Sequence, residues 1–200
     1  DELADFAGSK PAVAAITERA MRGEIAFRDA LRERVALLAG QPIGIIDRVI
    51  AERITFTPGA RTLLRTMAAN DAYALLFSGG FTSVVERVGA RLGFDEFRAN
   101  LLVTADGRLT GEVAEPILGR EAKRAALDEV AGRLGLAPEE SLAVGDGAND
   151  LDMLAGAGLG VAYHAKPKVA EAAMARIDHA DLTALLYAQG YRREEFVGHG

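Results

Sequence analysis

The chain has 200 residues, half of them hydrophobic and 26% charged, so it carries enough apolar material for a core and too little charge for a disordered polymer. It contains no cysteine, which excludes a disulfide scaffold, a cysteine nucleophile and a thiolate metal site. Its 23 basic and 29 acidic residues leave a net charge of -6, which argues against a nucleic-acid partner held by bulk charge.

Residues 1–52 read as helical throughout. Val13, Ile16 and Ala20 recur at helical spacing, as do Phe27, Leu31, Val35 and Leu38. Gly40-Gln41-Pro42 marks a turn, and a short helix follows to about Ala51. From Pro58 onward helices and strands alternate. Pro58 suits the first turn of a helix running to about Ala69. Ala72–Phe77 is an apolar run fit for a buried strand, ended by Ser78-Gly79-Gly80. A helix over Thr82–Leu92 follows. Leu101–Thr104 and Leu109–Val113 flank Asp106-Gly107, a strong hairpin signal. Residues 120–134 read as a helix and Ser141–Val144 as a short strand entering Gly145-Asp146-Gly147. A helix over Asp150–Ala157, a strand over Leu159–Ala162, a helix after Pro167 and a last helix over Asp181–Ala188 complete the pattern.

This order implies an α/β fold: a mostly parallel sheet over residues 56–200, with residues 1–55 as a helical cap. Ligands in such folds bind beyond the carboxyl ends of the strands, where both glycine-rich segments fall. No apolar run reaches the 18 residues of a membrane span, and Asp1-Glu2-Leu3-Ala4-Asp5 is not a signal peptide. The expected location is the cytoplasm, with no membrane or nucleic-acid partner. A homodimer is left open.

Gly145-Asp146-Gly147-Ala148-Asn149-Asp150 holds two aspartates four residues apart between a strand and a helix. Asn149 as a helix cap, with Asp150 complementing the helix dipole, is one reading. A cap does not require Asp146, however. Asp146 as a hard-cation ligand with Asp150 beside it is the sharper reading, since magnesium takes carboxylate oxygens plus waters. Ser78-Gly79-Gly80 offers a hydroxyl and open backbone N–H groups, either as a phosphate nest or as an ordinary turn. Ser78 as a nucleophile is disfavoured. The histidines, His164, His179 and His199, stand too far apart to suggest a relay or a zinc site. Lys123 lies among apolar helix positions and fits a phosphate or plain solvent. Arg32 and Arg34 read first as a charged helix face with Glu33, and His164 and Lys166 as loop residues.

Taken in order, Met21–Phe27, Leu31–Leu38, Phe77–Phe81, Gly111-Glu112-Val113, Lys123, Gly145–Leu151 and Ala165-Lys166-Pro167 resemble the bacterial phosphoserine phosphatases of the haloacid dehalogenase superfamily. The long G-D-G-A-N-D-L run, with S-G-G-F and the R-V-x-L-L helix, is more specific than the superfamily's short motifs. The resemblance implies a Rossmann-like parallel sheet with a small helical cap, and magnesium-dependent hydrolysis of O-phospho-L-serine to L-serine and phosphate. It implies Ser78 and Lys123 as phosphate ligands and Asp146 as the magnesium ligand. Asn149 and Asp150 would support substrate and metal, Asp150 itself as a second metal residue. It further implies Arg34 on the substrate carboxylate, Met21 and Phe27 packing nearby, and Gly79 and Gly80 offering backbone to the phosphate.

The family's nucleophile belongs to an Asp-x-Asp-x-Thr motif on the first strand. The only Asp-x-Asp here, Asp150-Leu151-Asp152, lies in an expected helix without the threonine, and Asp1 and Asp5 fit no better. The expectation is that the printed residues start beyond that strand, and that a preceding segment, a regulatory domain included, belongs to the native protein. Competing readings are another small phosphomonoesterase or phosphotransferase, acting for instance on phosphohomoserine, and a non-catalytic phosphate-binding relative.

Overall fold

A computed structural model describes residues 2–198; Asp1, His199 and Gly200 lie outside the described residues. In chain order the elements begin with α1 (Glu2–Phe6), α2 (Lys10–Met21), α3 (Phe27–Ala36), α4 (Gly44–Glu52) and α5 (Ala60–Ala68). Next come β1 (Leu75–Phe81), α6 (Thr82–Leu92), β2 (Glu96–Asn100), β3 (Leu102–Ala105) and β4 (Arg108–Val113). The remainder is α7 (Arg120–Leu134), β5 (Leu142–Gly145), α8 (Leu151–Gly156), β6 (Leu159–Tyr163), α9 (Pro167–Ala172), β7 (Ala175–Ile177) and α10 (Ala184–Ala188). The fold is α/β with parallel pairing, β1 with β2 and β5 with β6 with β7, plus one antiparallel hairpin, β3 with β4. By contact the chain divides into two compact units, Asp1–Phe56 with Tyr73–Ile117 and Thr57–Ala72 with Leu118–Gly200.

In the first unit the helices bury one stripe each. α3 turns Leu31 and Val35 inward, α4 turns Ile45, Ile46, Val49 and Ile50 inward, and both pack with Leu109 and Val113 of β4. The expected border near residue 55 assigned everything beyond it to the core. The contacts draw it elsewhere, because the β3–β4 hairpin is bonded to the helical segment. Gly40 N–H donates to Leu109 O at 2.8 Å, and Leu109 N–H donates back to Gln41 O at 2.9 Å. Gly111, at φ 88°, lets β4 lie against α3's end: a Cβ there would stand 2.8 Å from Ala39 Cβ. Asp106 and Gly107 both take positive φ, as a two-residue hairpin turn requires.

The expected strand before Ser78 in fact starts at Leu75 and runs through Ser78-Gly79-Gly80 to Phe81. Its ladder with β2 slips between Phe77 and Phe81, so the glycines sit in an irregular stretch of strand rather than after it. β2 and β7 were not anticipated. Glu96–Asn100 does alternate polar and apolar residues, but over only five positions, and Ala175–Ile177 is three residues long, so both signals are short. Pro58 precedes its helix instead of opening it, because Gly59 takes a left-handed cap at φ 81°.

In the second unit β5, β6 and β7 align in parallel, with α7 and α8 packed together and α8 against β6. Leu185 and Leu186 of α10 are fully buried. The C-terminal segment is tied to the turn before α5: Leu182 N–H donates to Pro58 O at 3.0 Å, and Val197 N–H to Thr66 Oγ1 at 2.9 Å. Gly160 fixes the distance between β6 and α8, since a Cβ there would stand 2.1 Å from Leu154 O. Gly160→Ala must push the helix off the strand. Urea unfolding should show a loss of about 1–3 kcal/mol, and an unchanged midpoint would mean that α8 is not seated as described.

Candidate active site

The second unit gathers Lys123, Asp146, Asn149 and Asp150. β5 ends at Gly145, and a 3-10 turn over Ala148–Asp150 leads into α8. Asp150 is 3% exposed and Lys123 9% exposed. Lys123 Nζ donates to Asp150 Oδ1 at 2.5 Å. The other oxygen, Oδ2, accepts the backbone N–H groups of Asp146 at 3.1 Å and Gly147 at 3.0 Å. One carboxylate therefore pins the lysine from α7 and folds the Asp146 loop around itself. Gly145 is obligatory for this, because a Cβ there would stand 2.4 Å from Asp150 Cβ.

Asp146 is the contrasting carboxylate. It is exposed, carries no side-chain hydrogen bond or ion pair among the described residues, and lines an open cavity of about 320 Å³. Thr57, Val144, Gly145, Tyr163 and His164 complete the lining. Among the described residues no group of three or more His, Cys, Asp or Glu gathers as a ready-made cation cage. The donor set nevertheless suits magnesium, which binds through one or two carboxylates and completes its shell with water and substrate phosphate. Asp150 spends both oxygens on hydrogen bonds, whereas the Asp146 carboxylate has no side-chain partner among the described residues. Asn149 is exposed beside it.

Two ties hold the helices that bear these groups. Arg120 on α7 donates Nε and Nη2 to the two oxygens of Asp152 on α8, at 2.6 and 2.5 Å. That fork holds the Asp152 carboxyl below its usual pKa. Arg124, one turn later, pairs with Asp128 on α7 and lays its guanidinium over Gly156 of α8, so a side chain at that glycine would displace the arginine.

Ser78, Gly79, Gly80, Met21, Phe27 and Arg34 all belong to the first unit, and Phe27 lies against Gly79. Ser78 Oγ accepts the Gly80 N–H at 3.0 Å, curling the strand end into a tight turn. Asn100, 1% exposed, donates Nδ2 to Gly79 O at 3.1 Å and so holds that turn from the neighbouring strand. The Phe27 ring rests against Gly79, where a Cβ would stand 3.7 Å from its Cζ. Met21 is 71% exposed. Arg34 is half-buried on α3; its Nε reaches Ala30 O at 3.3 Å, and its guanidinium meets no carboxylate among the described residues. Burial draws it below its ordinary pKa. Arg32, two residues earlier, is saturated instead by Asp29 and Glu115.

Sequence reasoning passed over Asn100, Thr57 and the buried Ser83 hydroxyl, which has no hydrogen-bond partner among the described residues. Asparagine at a strand end and serine in a helix's first turn are too common to signal a role. Only the neighbouring backbone distinguishes them.

A family model of the haloacid dehalogenase-like hydrolases matches residues 2–155. A phosphoserine phosphatase of Polaromonas sp. is 48% identical over 191 residues, covering 93% of this chain and 81% of the relative. The chain belongs to this family of phosphatases. It is also 46% identical over 193 residues to a phosphoserine phosphatase of Mycobacterium tuberculosis, covering 96% of this chain but 47% of that longer protein. Two solved structures share the fold at 39% identity. A substrate-bound phosphoserine phosphatase complex superposes with a TM-score of 0.86, covering 94% of this chain and 89% of that one. A phospho-aspartyl intermediate analogue of phosphoserine phosphatase gives 0.85, with 94% and 90% covered. The haloacid dehalogenase-like fold and the phosphatase family expected from the motifs are thus both found. None of the described helices is long and apolar enough to cross a membrane.

Removing one partner of a buried ion pair leaves the other charge uncompensated. Lys123→Met should therefore cost about 3–5 kcal/mol in urea unfolding. Combining it with Asp150→Asn should return part of that loss. If Lys123→Met alone is as stable as the parent, the pair does not organise this loop.

Proposed function

We propose that this chain belongs to an enzyme that hydrolyses O-phospho-L-serine to L-serine and phosphate, with magnesium. The observation that carries the reading is the division of labour between two neighbouring carboxylates. Asp150 is buried on Lys123 and two amides, while Asp146 is left bare at the mouth of a cavity. A fixed cation near an unengaged carboxylate supports phosphoryl transfer, which needs positioning and charge neutralisation rather than elaborate covalent chemistry.

Asp146 would hold the metal, with Asn149 alongside and Asp150 acting through the loop it folds. Bound magnesium would supply charge neutralisation for the phosphate oxygens. Lys123, oriented by Asp150, would neutralise the transferring phosphoryl group. Ser78 and the N–H groups of Gly79 and Gly80 would take the remaining phosphate oxygens. The nucleophile would be an aspartate of an Asp-x-Asp-x-Thr motif, which these 200 residues do not contain. It would form an aspartyl-phosphate that water then cleaves.

Arg34 would select the substrate. A half-buried guanidinium without a counter-ion is costly to keep, and a ligand carboxylate in bidentate contact relieves that cost. Met21 and Phe27 would pack against the short carbon chain. In this reading phosphoserine is the partner, the protein acts in the cytoplasm, and its product feeds L-serine biosynthesis.

Two substitutions test these roles in the protein encoded in full, any upstream segment included. Asp146→Asn keeps the shape and removes the charge; magnesium-dependent turnover should fall by about two orders of magnitude or more. Parent-like turnover at limiting magnesium would remove Asp146 as a ligand. Arg34→Ala should cost about 2–5 kcal/mol in kcat/KM for phosphoserine and far less for an aryl phosphate lacking a carboxylate. Equal losses on both substrates would assign Arg34 a structural role.

A further inference from the structure

His164 stands in an unusual place. It follows β6 and has φ 44°, one of three non-glycine residues with positive φ among the described residues. The other two, Asp71 and Asp106, are aspartates, which tolerate the left-handed region well. Histidine enters that region more readily than most side chains, yet positive φ stays uncommon outside glycine and something must hold it there. Three contacts do so. Its backbone N–H donates to Ile177 O at 2.8 Å. Its Nε2 lies 2.9 Å from Ala180 O, so that nitrogen carries the proton. Its ring stacks on Tyr163 with centroids 4.2 Å apart and planes 7° from parallel.

The turn so fixed is joined directly to the Asp146 loop. Two residues after His164, the Lys166 N–H donates to the carbonyl of Asp146 at 3.3 Å. His164 and Tyr163 also line the cavity into which Asp146 opens. On its far side the imidazole grips Ala180, whose segment is tied by Leu182 N–H to Pro58 O, next to Thr57 in the same lining. Asp150 folds the Asp146 loop from within; the turn at His164 holds it from outside.

We propose that His164 is a positioning residue, which locks the left-handed turn after β6 so that the Lys166 amide fixes the backbone of Asp146 and sets its carboxylate toward the cavity. This rests on the reading of Asp146 as the cation ligand. The imidazole works through its hydrogen bond to Ala180 and its stack on Tyr163, and makes no contact with the reacting groups.

The test compares His164→Ala, His164→Asn and His164→Gly with the parent, in the protein encoded in full. Three quantities are read: hydrogen exchange at the Lys166 amide, magnesium binding followed by the amide resonances of Gly145–Gly147, and the magnesium needed for half-maximal phosphoserine hydrolysis. Thermal unfolding checks that each variant folds. His164→Ala should speed Lys166 exchange and weaken magnesium binding by about tenfold or more, the range seen when a group supporting a metal ligand is lost. Asn accepts the left-handed turn and can donate to Ala180 O, so it should recover most of both losses. Gly accepts the turn but donates nothing, so it should not. Parent-like exchange and magnesium binding in His164→Ala would overturn the proposal. Full recovery by Gly would do so too, because the turn alone would then suffice. If the parent does not hydrolyse phosphoserine, the proposed substrate fails, while exchange and magnesium binding still decide the role of His164.

Discussion

The candidate site depends on one buried ion pair, Lys123 with Asp150. Such a pair contributes little net stability, because desolvating two charges offsets most of their attraction. Its value lies in geometry. The oxygen that does not bind Lys123 collects two successive backbone amides, so the loop after β5 closes around Asp150 rather than around solvent. Gly145 must be bare for that closure, and α8 must start where it does. The turn, the helix entry and the direction of Lys123 follow from a single carboxylate.

The first unit shows the opposite strategy. Its polar groups near the glycine-rich strand end are held by neutral contacts: Asn100 on Gly79, Ser78 on Gly80. Among the described residues its partly buried cation, Arg34, meets no carboxylate while Arg32 beside it has two. A fold optimised only for stability would have paired both. A guanidinium kept half-buried without a carboxylate nearby carries a desolvation cost that Arg32 does not. This separates Arg34 from Arg32 although the sequence presents them as equivalent members of one charged helix face.

That pair of arginines marks the limit of what the sequence reveals. Periodicity located α3, α6 and α7 closely, because each carries an apolar stripe bounded by glycine or a turn. Asp106-Gly107 located the hairpin, since few other dipeptides accept two left-handed residues. The G-D-G-A-N-D run located the acidic loop. What the motif did not reveal was how its two aspartates divide their work, because that depends on burial and on a lysine more than twenty positions away. β2 and β7 were missed because they are short: five alternating residues in one and three in the other are too few to stand out, and their pairing partners lie elsewhere in the chain. The contact-based division differs from the border read from the sequence because pairing between β4 and the turn after α3 is a non-local contact that no local window contains.

The strand bearing Ser78 has a consequence for how the chain behaves in solution. Among the described residues β1 pairs only with β2, and none of its seven residues reaches full burial. One side of the strand therefore carries backbone donors and acceptors outside any ladder, next to Leu75, Leu76 and Phe77. β5 is likewise paired on one side only, with β6. Native sheets usually blunt such edges with lysine, proline or a bulge, and the apolar start of β1 has no charge or proline among those three residues. Each edge is a template for another extended segment. In concentrated preparations of these 200 residues the same strand of a second molecule is one such segment, and the irregular stretch between Phe77 and Phe81 limits how far the two could pair.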